Sequence, residues 1–463
     1  FVVDCVSLFF CLKNNKMIVL KFGGTSVGSA KNIKKVVEII SRNRASKIVV
    51  LSAVSGTTNS LLAIAKAIKN NQLIEGLELI TLLEKEYLLI IAELFATNHY
   101  KNKALAFVLE KFNDLKSLSS EDENLENRIV AQGEILSTNL VQLFLEESNI
   151  SSSLISALDF MVVDEEGEPV VSKIKEKLCP IINKNQASNT WITQGFICRN
   201  DKGAIANLKR GGSDYTASLI GAAIDADEIQ IWTDIDGMHN NDPRFVENTF
   251  SIKEISFDEA AELAYFGAKI LHPQSLIPAK ENNIPVLLKN TFSPFSEGTI
   301  IKNKTVNKGI TAIAAKDGIT AIKIKSYRML MAYGFLKKVF EVFENNQTAI
   351  DMITTSEVAV SLTIDNCSKI TSIVSELENY GKVEVENNLS IICVAGDFSQ
   401  NNEGISAQVV NSLKNIPVRM ISYGGSNYNI SLLVNSNDKI AALNSLNSGL
   451  FKKGVGFQKQ LVG

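Results

Sequence analysis

Histidine is scarce: His99, His239 and His272 are the three in 463 residues, and no Ser-His-Asp arrangement is evident around them. Cysteine is hardly commoner. Cys5, Cys11, Cys179, Cys198, Cys367 and Cys393 stand apart, without the spacing that a metal site or a disulfide framework needs. Neither sign of charge dominates, with Lys+Arg 47 against Asp+Glu 50 and a net charge of -3. An overall basic field for nucleic acid or a membrane surface is therefore excluded, and any anionic ligand must be held by local groups. Long apolar runs are missing too. The opening "FVVDCVSLFFCLKNNK" has no initiator Met, carries Asp4, lacks a small-residue cleavage site and is too short in its apolar part to span a bilayer. Met17 is thus the expected start, 1–16 a leader outside the native protein, and the location cytoplasmic with reduced, buried thiols.

What is present is ample apolar material, 45% hydrophobic against 21% charged, enough for two or three domains each with a core. Up to about residue 305, β-branched runs such as "KIVVLSAV", "TWITQGFI", "EIQIWTDIDG" and "IPVLLKN" alternate with helical spacing like that of "FDEAAELAYFGAKILHP". This predicts an α/β domain over 17–305, a mostly parallel sheet sandwiched by helices with ligand crevices at the carboxyl ends of its strands. The polar "KNKTVNKG" (302–309) reads as a linker. Beyond it lies an internal repeat: the stretch from Gly334 and the stretch from Gly404 share glycine, amphipathic helix, strand, Ser-containing turn and strand. That period suits two small α+β modules rather than a solenoid. Each reads as β-α-β-β-α-β, and the second lacks a final strand, which "KGITAIAAKDG" (308–318) is expected to supply. The regulatory region 306–463 would then hold modules at about 319–388 and at 389–451 completed by 308–318.

Chemistry is concentrated in "MIVLKFGGTSVGSAKNIKKVVEII" (17–40). A P-loop places its lysine after the glycines and a dinucleotide fingerprint needs G-x-G-x-x-G; here Lys21 precedes Gly23 and Gly24, so neither template fits. Glycine backbone N–H groups, a helix N-terminus and a point charge still suit a phosphate. Taken alone, the stretch favours a structural turn with a solvated lysine over a site. "LKRGGSDYTA" (208–217) repeats the device with Arg210, paired glycines, Ser213 and Asp214.

In chain order, "KFGGTSVG", "LSAVSGTTN", "AQGEILST", "RGGSDYTA", "WTDIDG", "NDPR" and "FGAKILHP" resemble the motifs of aspartokinases of the amino acid kinase family, and the likeness runs from Met17 to Phe451. The terminal modules are similar to paired ferredoxin-like ACT domains of the lysine-sensitive, monofunctional type. The resemblance implies MgATP-dependent phosphorylation of the L-aspartate side-chain carboxylate to 4-phospho-L-aspartate, the first step towards lysine, threonine and methionine. It implies ATP and Mg2+ as cofactors, no nucleic-acid or membrane partner, and a homodimer or dimer of dimers. A carboxylate is already nucleophilic, so the lack of a histidine base is no obstacle.

By the same resemblance, Lys21 neutralises the transferring phosphoryl group beside the N–H groups of Gly23 and Gly24, and Asp214 orients the lysine or meets magnesium indirectly. Substrate binding falls to Thr57, Glu134, Arg210, Gly211, Gly212 and Ser213, with Arg210 on the α-carboxylate and Glu134 on the α-ammonium. The nucleotide falls to Thr233, Asp234, Asp242, Arg244 and Lys269, and no metal ligand is assigned among protein side chains. The lysine effector falls to Met329, Gly334, Leu336, Asp351, Thr355, Ser356 and Glu357, with Asp351 on the ε-ammonium. Lys209, His239 and Ala332 depart from the family's usual glycine, tyrosine and serine. Two other functions stay open: a kinase of a related small acid such as glutamate, and a catalytically retired, amino-acid-sensing regulatory subunit.

Overall fold

The computed structural model describes residues 16–184, 188–208, 211–267, 271–305, 309–326, 333–398 and 403–451. It divides into two compact units. One takes the chain up to Met238 together with Leu271–Lys304, the other His239–Ile270 together with the chain from Thr305 onward. Residues 239–270, inside the expected block 17–305, bond to the C-terminal region. Asn240 Nδ2 donates to Asn447 Oδ1 at 3.0 Å, and Ile313 N–H donates to the Asn240 carbonyl at 2.8 Å.

In the first unit seven strands join in the order Ser153–Leu154, Thr190–Gln194, Ser46–Leu51, Met17–Phe22, Glu228–Thr233, Val286–Asn290, Thr299–Lys302. All neighbours are parallel except the last pair. Met17–Phe22 is central and buried on both faces apart from Lys21, as its unbroken apolar run requires. Helices cover the sheet; Ala30–Arg42 buries Ile33, Val36, Val37 and Ile40 along one face, one stripe of a core that also takes Leu61, Tyr87, Phe112 and Leu140. Parallel strands all point their carboxyl ends the same way, so the turns after Phe22, Leu51, Gln194 and Thr233 gather at one edge.

The second unit carries a six-stranded antiparallel sheet in the order Ile353–Thr355, Ala359–Ile364, Gly309–Lys325, Lys382–Asp397, Asn429–Asn435, Val418–Tyr423. Its two long central strands serve both modules at once. Where the modules meet, the register between them shifts from Lys316 to Ala321, with Gly318 and Asn388 at positive φ; such bulges bend and twist a ladder without ending it. Helices Phe335–Asn345 and Ile370–Leu377 pack on one half around Val339, Phe343 and Leu362. Ile405–Ser412 and Lys439–Leu450 pack on the other around Val409, Leu432 and Leu443. Residues 309–318 pair with 389–397, the place expected for the missing strand.

No described helix is long and apolar enough to cross a membrane. Of the thiols, Cys198 and Cys393 are buried, Cys179 is half-buried and Cys367 is exposed, against the expectation that all are buried.

Candidate active site

Lys21 is charged inside a central strand because it has a partner. Its Nζ lies 2.7 Å from Asp214 Oδ1, with side-chain exposures of 11% and 16%. The contact is an ion pair out of line for a hydrogen bond. Asp214 sits in the first turn of helix Gly212–Ala223, where the helix dipole favours a carboxylate. Its N-cap, Gly211, is left-handed, with φ 73.

The turn after Lys21 is tight. Gly23 N–H donates to the Trp232 carbonyl at 3.1 Å, so of the two glycine N–H groups expected beside a phosphate that of Gly23 is already engaged. A Cβ on Gly24 would come within 2.9 Å of the Ala53 carbonyl oxygen, and Ser55 N–H donates to the Gly24 carbonyl at 3.2 Å. The following helix starts only at Ala30, and Ser29 caps it with its own side chain.

Beside this turn lies a cleft of about 270 Å³ lined by Gly24, Ser52, Ala53, Val54, Ser55, Gly56, Thr58, Glu134, Phe196, Gly212 and Ser213. Glu134, in the first turn of helix Gln132–Glu147, is 3% exposed. Its Oε1 accepts from Ala53 N–H at 3.3 Å, while Oε2 is buried and has no partner among the described residues. Burial, only partly countered by that hydrogen bond, pushes its carboxyl up to about 7. An unpartnered buried carboxylate oxygen is costly, and Glu134 is among the residues that line the cleft.

The hydroxyls are arranged around it. Ser52 Oγ donates to Ser213 Oγ at 3.0 Å, and Ser137 Oγ donates to the Ser52 carbonyl at 2.7 Å. Thr57 is turned inward, 3.2 Å from the hydroxyl of the fully buried Tyr87, so Thr58 is the threonine of this turn that lines the cleft. Phe196, which the sequence reading did not single out, holds φ 65 at the cleft wall, a conformation costing a non-glycine residue about 1–2 kcal/mol. Its N–H donates to Thr216 Oγ1 at 2.9 Å and its carbonyl accepts from Leu208 N–H at 2.8 Å. Strain retained beside a cleft points to a functional demand.

Gly195, just before Phe196, has no room for a side chain: a Cβ would fall 2.3 Å from Ser213 Oγ. Gly195→Ala should therefore displace Ser213 and destabilise the fold by about 1–3 kcal/mol, the usual cost of overpacking. A urea midpoint unchanged from wild type would contradict that placement.

The remaining candidates divide between the units. In the first, Thr233 closes its strand and its hydroxyl donates to the exposed Asp234 at 3.1 Å. In the second, Asp242 and Arg244 pair with each other, Arg244 Nε donating to Asp242 Oδ1 at 2.9 Å and a terminal guanidinium nitrogen to Oδ2 at 2.6 Å. Against the upward push of burial, that guanidinium holds the Asp242 carboxyl below its usual value. Gly334 is the left-handed N-cap of Phe335–Asn345 and Leu336 is exposed. Thr355 ends its strand, Ser356 N–H donates to the Ala359 carbonyl at 2.8 Å, and Glu357 is exposed. Asp351 is not solvated: its side chain is 2% exposed and paired with Lys316. Arg210, Lys269 and Met329 lie outside the described residues.

Known proteins resemble this chain over most of its length. The amino acid kinase family profile matches residues 16–290 and an ACT domain profile matches 392–450. The chain is 33% identical to lysine-sensitive aspartokinase 3 of Escherichia coli, over 95% of this chain and 100% of that protein. The crystal structure of E. coli aspartokinase III with aspartate and ADP superposes with a TM-score of 0.78 at 32% identity, covering 94% of this chain and 100% of that one. The same enzyme with lysine and aspartate gives 0.77 at 32% identity, with the same coverage.

Proposed function

The chain belongs to the amino acid kinase family, in its aspartokinase branch, and from that premise we propose that it transfers the γ-phosphoryl group of ATP to the side-chain carboxylate of L-aspartate. The products are ADP and 4-phospho-L-aspartate, the first step towards lysine, threonine and methionine. Glu134 is the observation that carries the reading. A buried carboxylate with one unpartnered oxygen on a cleft wall suits the α-ammonium of an amino-acid substrate.

The acceptor is ionised at neutral pH, so no general base is needed and the barrier is repulsion between two anions. Lys21 offsets that repulsion. Its ammonium is already held by Asp214, so it does not have to reorganise as charge shifts during transfer. Arg210 takes the α-carboxylate with its planar fork, Glu134 the α-ammonium, and Ser213 and its neighbouring glycines complete the aspartate side. Thr233 and Asp234 take the nucleotide. The roles of Asp242, Arg244 and Lys269 in holding it rest on the sequence resemblance alone. The hydroxyl and carboxylate oxygens of Ser52, Ser213 and Asp214 are hard donors that fit magnesium, with Asp214 acting through water. When bound on the nucleotide phosphates, magnesium neutralises their charge. In this reading the enzyme is a cytoplasmic homodimer or dimer of dimers inhibited by L-lysine.

The discriminating experiment is ADP release from MgATP with L-aspartate, L-glutamate and N-acetyl-L-glutamate offered separately. L-Aspartate should be the acceptor by a wide margin. Preference for either other acid, or no ADP with any of them, overturns the assignment. Added L-lysine should inhibit, and Asp351→Ala should relieve that inhibition. Inhibition by L-threonine alone, or lysine inhibition untouched in Asp351→Ala, contradicts the effector site.

A further inference from the structure

Asp351 is the carboxylate that the effector reading assigns to the ammonium of L-lysine, and in the structure an ammonium is already there. Lys316 Nζ lies 2.8 Å from Asp351 Oδ1 and 2.9 Å from Asp365 Oδ2, and 4.6 Å from the centre of the Tyr265 ring. The Tyr265 hydroxyl donates to the same Asp351 Oδ1 at 2.8 Å. Two carboxylates and an aromatic face make a box for an alkylammonium. The walls are fixed, since Asp351 N–H donates to the Thr363 carbonyl at 2.9 Å. Asp351 Oδ2 is buried with no partner among the described residues, so the carboxylate still has an acceptor to offer. Against the downward push of burial, the two carboxylates hold the Lys316 ammonium above its usual value, and burial followed by the Asp351 bond pushes Tyr265 up to about 12.

We propose that Lys316 is an internal stand-in for the effector: its ammonium occupies Asp351 until free L-lysine displaces it, and this exchange sets the effector affinity and loosens the hold of Asp351 on Tyr265. The inference rests on the L-lysine reading above. Displaced, Lys316 keeps Asp365 as a partner, so the exchange strands no charge. Tyr265 ends the helix Phe257–Tyr265, within the segment whose chain runs back to the catalytic unit at Met238 and Leu271. The exchange therefore acts on an element covalently continuous with that unit. A ligand that must displace an internal competitor binds more weakly by the fraction of empty sites.

The test is calorimetric titration of the full-length protein with L-lysine, and with L-norleucine, which lacks the ε-ammonium. Lys316→Met should bind L-lysine about tenfold more tightly than wild type, as expected when a competing state is removed. Lys316→Arg, which keeps the internal pair and gives it a second donor, should bind more weakly. L-Norleucine should gain nothing from Lys316→Met. Lys316→Met leaves the buried Asp351 without its counter-charge, so it should also melt lower and recover more on adding L-lysine than wild type does. Should Lys316→Met fail to fold, the weaker binding of Lys316→Arg decides. Wild-type affinity in the folded variants, with L-lysine still bound, overturns the stand-in and leaves the effector reading intact. No L-lysine binding even to wild type overturns the effector reading itself, and the stand-in with it.

Discussion

Lys21→Ala should lower kcat by about two to three orders of magnitude, the scale for losing one preorganised charge-stabilising group, while the KM for aspartate moves little. The split follows from where Lys21 stands. It lies at the carboxyl end of the central strand, paired with Asp214 in the first turn of helix Gly212–Ala223. The acceptor's binding groups, Glu134 and the Ser213 turn, belong to other elements. Negative charge accumulates between donor and acceptor only as the phosphoryl group moves, so removing the ammonium raises the transition state more than the ground state. Alanine also leaves Asp214 facing the site without its counter-charge, which adds repulsion. Steady-state kinetics would read both quantities. A Lys21→Ala enzyme with near-normal kcat, or one whose loss lies wholly in the aspartate KM, would take Lys21 out of the phosphoryl-transfer step.

Glu134→Gln should reduce kcat/KM for L-aspartate by about 30-fold to several thousand-fold, the range for truncating one side of a buried charge pair, with the ATP KM unchanged. Glutamine keeps the shape and the acceptor for Ala53 N–H but cannot neutralise an ammonium. The wild-type pH profile follows from the same residue. Burial lifts its carboxyl to about 7, so below that value it is protonated and neutral. The aspartate KM should therefore rise as pH falls from about 8 to 6, approaching tenfold per unit on the acid side, and Glu134→Gln should flatten the profile. Stability moves in the opposite sense. Because the folded protein holds this proton more tightly than the unfolded chain, whose value is 4.5, the contribution is full below 4.5. It is lost as pH rises through about 7, by about 3 kcal/mol for the unliganded protein. A flat aspartate KM across that range in wild type would show that Glu134 does not take the ammonium.

Lys21 and Glu134 were legible in the sequence because each is a charge in a context that resists it, a strand interior and an apolar helix, and Asp214 because it follows paired glycines at a helix entrance, which favours a carboxylate. Tyr87 and Ser52 were not. Tyr87 reads as one more aromatic on a long helix, and only the fold brings its hydroxyl to Thr57. Phe196 carries no compositional mark of a left-handed backbone, since asparagine or glycine is the usual occupant. The sequence places 308–318 in one module and the chain from about 319 in the other, yet Gly309–Lys325 is one continuous strand, Gly318 marking a bulge inside one ladder. The helix in "FDEAAELAYFGAKILHP" was visible from its period, with Ser256 and Glu259 forming a capping box. Which unit it joins was not visible, because Thr311, Ser426 and Asn429, its partners through Glu259 and Glu262, are distant in sequence. Periodicity reports which face is buried and is silent about what covers it.

Phosphorylation of a carboxylate on L-aspartate is the one chemical event from which every role assigned above follows. An acyl phosphate reacts with hydroxylamine, so the direct measurement is hydroxamate formation when the protein, ATP, magnesium and L-aspartate are mixed with hydroxylamine. Aspartyl hydroxamate should accumulate, require magnesium, and nearly vanish in Lys21→Ala. No hydroxamate from L-aspartate with wild-type protein at saturating MgATP would contradict the account.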